Sequence, residues 1–73
     1  MPKGVRTLNK VKGYRTMLGM TQEEMAKELG VSINTYAAYE REPSKMNIDT
    51  AKKFVEVINK VDNTITLNDV FFK

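Results

Sequence analysis

Apolar residues recur along this chain at helical rather than strand spacing. Leu8, Val11, Tyr14, Arg15 and Leu18 fall on one side of a 3.6-residue wheel and predict a first helix over Thr7 to Leu18, weakened at Gly13 by about 1 kcal/mol relative to Ala. Thr21 followed by Glu24 has the spacing of a capping box, and Met25, Ala26 and Leu29 give a second helix its short apolar face. Gly30 is expected to end that helix in a left-handed conformation. Ser32 is placed to cap a third helix with Tyr36 and Tyr39 inward, and Pro43 within "REPSKMN" stops it. Asn47, with Asp49 in the first turn, opens a fourth helix running to about Lys60. Its stripe of Ile48, Ala51, Phe54, Val55 and Ile58 is the strongest in the chain. The closing "VDNTITLNDVFFK" reads two ways. Ile65 and Leu67 alternate with threonines as in a short strand, whereas Thr66 and Asp69 match the cap of a last turn carrying Val70 and Phe71. A loop followed by a short fifth helix is the preferred reading, which makes the chain one all-α bundle. Met17, Met20 and Met25 are expected to fill the core.

Charge is distributed unevenly over these elements. Charged residues make up 29% of the chain, yet no Asp, Glu, Lys or Arg lies between Glu28 and Glu40. The turn around Gly30 accounts for part of that gap, but the third helix should show solvent a charged face. With its tyrosines inward, Asn34, Ala37, Ala38 and Arg41 point out, and only Arg41 is charged. Short side chains let a helix backbone sit deep in a groove, Ala can touch thymine methyls, and Asn can pair bidentately with adenine. Two short helices joined by a Gly-containing turn also match the helix-turn-helix unit, whose second helix enters the DNA major groove. Any small bundle contains helix pairs, so the spacing gains its force from that uncharged face.

Composition narrows the alternatives. A chain of 73 residues makes one domain, and a domain of this size buries only roughly 60% of the surface its unfolded chain exposes. The absence of Cys and His removes disulfides, thiol catalysis, structural zinc and the usual general base. Ser32 and Ser44 have no His to activate them, so an enzyme is not expected and no cofactor is implied. The apolar runs are too short to cross a bilayer and "MPKGVRTLNK" lacks the apolar core of a signal peptide, which makes the cytoplasm the expected compartment. The formal charge of +3 is mild, but Lys3, Arg6, Lys10, Lys12 and Arg15 precede the first acidic residue. Residues 1–6 therefore read as a basic arm, suited to phosphates or an acidic protein, and residues 7–73 as the folded domain.

At "LGMTQEEMAKELGVSINTYAAYERE" the chain resembles the phage Cro and repressor type of helix-turn-helix, also called the xenobiotic-response-element family. The likeness runs from the first helix through "NIDTAKKF" and resumes at "LNDVFF". It implies a five-helix, lambda-repressor-like fold and a transcriptional regulator that binds double-stranded DNA, usually as a homodimer on a two-fold symmetric operator. Carried over by position, it implies that Gln22 contacts phosphate and sometimes the outermost base. Ile33, Asn34 and Ala38 would read bases, with Thr35 and Ala37 close enough to contribute. Arg41 and Lys45 would grip the backbone, together with Lys3 and Arg6 of the arm. Arg15, at the edge of its apolar stripe, and Glu40, near the inward face of the third helix, are partly buried charges that need opposite partners. In the family these two positions form an ion pair that orients the recognition helix.

The chain also departs from that pattern. Glu42 stands where a glycine normally follows the recognition helix, Met46 replaces a frequent proline, and about five extra residues precede "LNDVFF". Glu42 beside a DNA backbone would be repelled, so it either turns inward or marks a different approach. Val57, Ile65 and Phe72 are the apolar residues left over and are the expected dimer contacts. Two rival readings remain: the antitoxin half of a toxin-antitoxin pair, which adds a protein partner, and a protein-only module of the same fold.

Overall fold

A computed structural model describes residues 10–71. The described residues are all-helical, with α1 over Lys10–Met17, α2 over Gln22–Leu29, α3 over Ile33–Arg41, α4 over Ile48–Asn59 and α5 over Leu67–Phe71. Leu8 and the start of the expected first helix lie outside them, as do the arm residues Lys3 and Arg6, and Phe72.

Each helix begins where the sequence supplies a cap. Thr21 Oγ1 accepts from the Glu24 amide at 3.0 Å and the Glu24 carboxylate accepts from the Thr21 amide at 2.9 Å, so both members of the capping box are made. Ser32 caps α3 through the Thr35 amide, and Asn47 caps α4 through the Thr50 amide. Gly30 closes α2 at φ 75°, a left-handed position that a side chain would strain. The closing segment is helical because Thr66 and Asp69 bond each other's amides, at 3.2 and 2.8 Å. The extra residues before α5 are pinned by a side chain that sequence reasoning passed over. Asn59 donates its amide to the carbonyls of Asp62 and Ile65, at 3.0 and 2.9 Å.

Val11, Met25, Leu29, Tyr36, Phe54 and Ile58 form the centre of the core. Around it α2 packs on α3 and α4, and α1 reaches α3 and α5. Lys10 Nζ donates to the Asp69 carbonyl at 3.1 Å, which ties α1 to α5.

Three expectations about the core are corrected. Met17 is 57% exposed, since on a 3.6-residue wheel it falls away from Val11; Met25 is buried and Met20 packs at the core's edge. Ile48, at the head of the α4 stripe, is also 57% exposed. Helical side chains lean toward the N-terminus, so a residue in the first turn overhangs the end of the core. Val57 is buried, at 9% exposure, because α4 packs against both α2 and α5 and so hides a wider arc than one stripe.

Candidate nucleic-acid interface

The recognition surface starts from the short turn that Gly30 permits. With Val31 and Ser32 it swings the chain from α2 into α3, and Ser32 is fixed at the head of α3 by its bond to the Thr35 amide at 3.1 Å. Ile33, Asn34 and Thr35, the first turn of α3, are all exposed. Ile33 is an apolar side chain held in solvent beside the only bidentate amide on the helix. Tyr36 is fully buried, and Tyr39 is half-buried with its ring edge-on to Tyr36 at 6.5 Å. Ala37 and Ala38 lie half-buried on the helix flanks rather than pointing fully outward, and Arg41 is exposed at the far end.

What holds this face in place is a polar cluster beneath it. The Arg15 guanidinium of α1 forms an ion pair with Glu40 of α3, and the two side chains are 11% and 6% exposed. Arg15 also donates to the Met20 carbonyl at 2.8 Å. Gln22, the first residue of α2, donates its side-chain amide to Glu40 at 2.9 Å. Burial alone would raise the Glu40 pKa, but the hydrogen bonds from Arg15 and Gln22 outweigh it and hold the carboxyl below its ordinary value. The hydrogen bond to Glu40 raises that of Arg15. Burial first, then the interaction with Glu40, raises the pKa of the Tyr36 hydroxyl above its ordinary value. The cluster joins α1, α2 and α3 at one point.

At the exit from α3 the structure removes one of the two courses expected for Glu42. Glu42 does not turn inward: it is exposed, and its carboxylate lies 3.5 Å from Lys45 Nζ. An anion thus sits between Arg41 and Lys45. Gln22 has one amide hydrogen committed to Glu40, a restraint that sequence position did not reveal. Of the expected dimer contacts, Ile65 is half-buried against the core and Val57 belongs to it, which leaves Phe72 outside the described residues. Among the described residues the large apolar side chains that stand exposed, besides Met17 and Ile33, are Ile48 and Val61. Ile48 borders a groove of about 400 Å³ lined also by Pro43, Met46, Leu67 and Phe71.

Among the described residues no helix is long and apolar enough to cross a membrane, and no group of metal-ligating side chains converges. A protein-family model described as helix-turn-helix matches residues 11–62, from the first turn of α1 to just past α4. Comparison with curated proteins gave no match, and comparison with solved structures gave none.

Proposed function

The chain belongs to the helix-turn-helix family of Cro and repressor type, whose members are DNA-binding transcriptional regulators, and from that premise we propose that it represses transcription by occupying an operator with α3 in the major groove. The observation that carries this reading is the first turn of α3. Ile33, Asn34 and Thr35 stand exposed and uncharged on a helix whose orientation is fixed from behind by the Arg15, Gln22 and Glu40 cluster. Asn34 supplies a donor and acceptor pair for adenine, Ile33 and Ala38 supply apolar contacts for thymine methyls, and Thr35 and Ala37 lie near enough to add to them. Arg41, Lys45, the remaining amide hydrogen of Gln22 and the basic residues Lys3 and Arg6 supply phosphate contacts, which raise affinity without carrying sequence information. Binding as a two-fold dimer repeats this surface on both halves of a symmetric operator. Catalysis has no part in this reading.

Selection of bound duplexes from a random pool tests it. The expected result is a two-fold symmetric consensus whose half-sites lie about 10 bp apart. Recovery of no consensus, with equal affinity for all duplexes, would reject operator recognition.

A further inference from the structure

The exposed turn of α3 suits some base pairs and not others. Between Glu28 and Glu40 the chain has no Lys or Arg, and a Lys or Arg bonded to both O6 and N7 is the commonest specific contact to guanine. Arg41 stands at the opposite end of α3 from Ile33, about 12 Å along the helix axis. A helix of this motif meets base edges with its N-terminal residues, so Arg41 lies beyond them. The hydroxyls of the first turn serve the cap: Ser32 donates to Thr35 Oγ1 at 3.0 Å and accepts from the Thr35 amide at 3.1 Å. What remains is Ile33, 45% exposed, and the amide of Asn34, with Ala37 and Ala38 one turn behind them on the same two rows. Ile33 is the only large apolar side chain exposed on α3. In the major groove the apolar partner for such a side chain is the C5 methyl of thymine. Set against a G·C pair, it would cover the guanine acceptors or the cytosine amino group and leave them desolvated without a partner.

We infer that the base pairs read by α3 are A·T pairs, with adenine opposite Asn34 and the C5 methyl of a thymine seated on Ile33, so that the helix makes no guanine contact. The inference rests on the DNA-binding reading above and deepens it by naming the bases. Ile33 sets this specificity together with Asn34: the amide selects adenine by its hydrogen bonds, and the isoleucine selects thymine by a methyl group that cytosine lacks. Ala38 adds a methyl of its own behind Asn34.

The test replaces thymine by deoxyuridine, one position at a time, in the operator selected for the full chain. Uracil pairs with adenine as thymine does and lacks only the methyl. At one thymine or more in each half-site the parent should bind the uracil duplex about three- to tenfold more weakly, the loss that follows from leaving one methyl contact unmade. Ile33→Ala should bind the thymine operator more weakly and should no longer distinguish uracil from thymine at that position. Ile33→Val and Asn34→Ala should still distinguish them. The thermal midpoint of Ile33→Ala should stay near that of the parent, which separates a lost contact from a lost fold. Uracil accepted everywhere with undiminished affinity, or a G·C pair in the consensus at a position that Ile33→Ala or Asn34→Ala alters, overturns the thymine reading and leaves operator recognition standing. A selection that yields no consensus overturns the reading beneath it.

Discussion

Gln22 and Arg15 bond the same oxygen of Glu40: the Gln22 amide reaches Oε1 at 2.9 Å and Arg15 Nη2 reaches it at 3.4 Å. Three helices thus converge on one buried carboxylate, and the two helices of the DNA-binding unit are joined at the end where α2 begins and α3 finishes. Removing either ion-pair partner leaves the other charge buried without compensation. Arg15→Ala and Glu40→Ala should each destabilise by about 3–5 kcal/mol, and the double substitution by less than the sum. Chemical denaturation of the four proteins measures the coupling, and a coupling of zero would mean that the pair contributes nothing.

The same carboxylate makes stability depend on pH. Its folded pKa lies below the unfolded value of 4.5, so its contribution is fully present above that value and is lost as pH falls through the folded one. Urea midpoints should therefore hold from neutral pH to about 5 and fall in more acidic solution. Glu40→Gln should be less stable at neutral pH and should lose less on acidification. An equal loss in both proteins would assign the acid sensitivity to other carboxylates.

The helices and the site were legible in the sequence to different degrees, for physical reasons. Caps depend on neighbours in the chain, so the Thr21 and Glu24 box, Ser32, Asn47 and the Thr66 and Asp69 pair could be read directly, and the last of these resolved the choice between strand and helix. Burial depends on what packs against a helix from elsewhere. Val57 therefore looked surplus to a single stripe although α4 packs on two partners, and Ile48 looked central although in the first turn of α4 it overhangs the end of the core. Charge partners were legible only where burial demanded them. Arg15 and Glu40 are that case, whereas the exposed pairing of Glu42 with Lys45 carried no such demand. The two carbonyls held by Asn59 lie in a loop without periodicity, and no pattern pointed to them.

Asn34 is exposed in the first turn of α3 and carries no structural hydrogen bond that its loss would break among those observed. Asn34→Ala should relax preference at one base pair per half-site, at a cost of about 1–3 kcal/mol, with the thermal midpoint unchanged. Arg41→Ala should instead weaken all sequences alike. Repeating the duplex selection with each variant decides the matter: an unaltered consensus for Asn34→Ala would remove it from base reading.

Glu42 places an anion where Arg41 and Lys45 are expected to meet phosphate, and it holds Lys45 in an exposed pair of the kind worth at most about 1 kcal/mol. Such a pair opens readily, but the carboxylate remains and repels the backbone. Glu42→Gln should tighten binding to operator and scrambled duplexes alike and steepen the salt slope by up to about one unit. Fold stability should change by less than about 0.5 kcal/mol. Weaker binding by this variant would mean that the carboxylate makes a favourable contact and that the chain approaches DNA in a different orientation.

The expected dimer contact has to move from Val57, because a buried core residue cannot also face a second copy, and Val57→Asp should unfold the chain rather than separate two protomers. Ile48 is the better candidate. It is 57% exposed and borders the groove formed with Pro43, Met46, Leu67 and Phe71. That groove opens directly after α3, since Pro43 begins the turn that follows Glu42. A second copy seated there by a two-fold axis would make an isologous contact. Operator binding should strengthen such a contact by mass action. Sedimentation with and without the selected operator should show two chains per duplex at saturation. Ile48→Asp should lower operator affinity and leave the thermal midpoint near that of the parent, since its side chain is already in solvent. One chain per operator would remove the dimer from the mechanism, and an unaltered affinity for Ile48→Asp would place the contact on another surface.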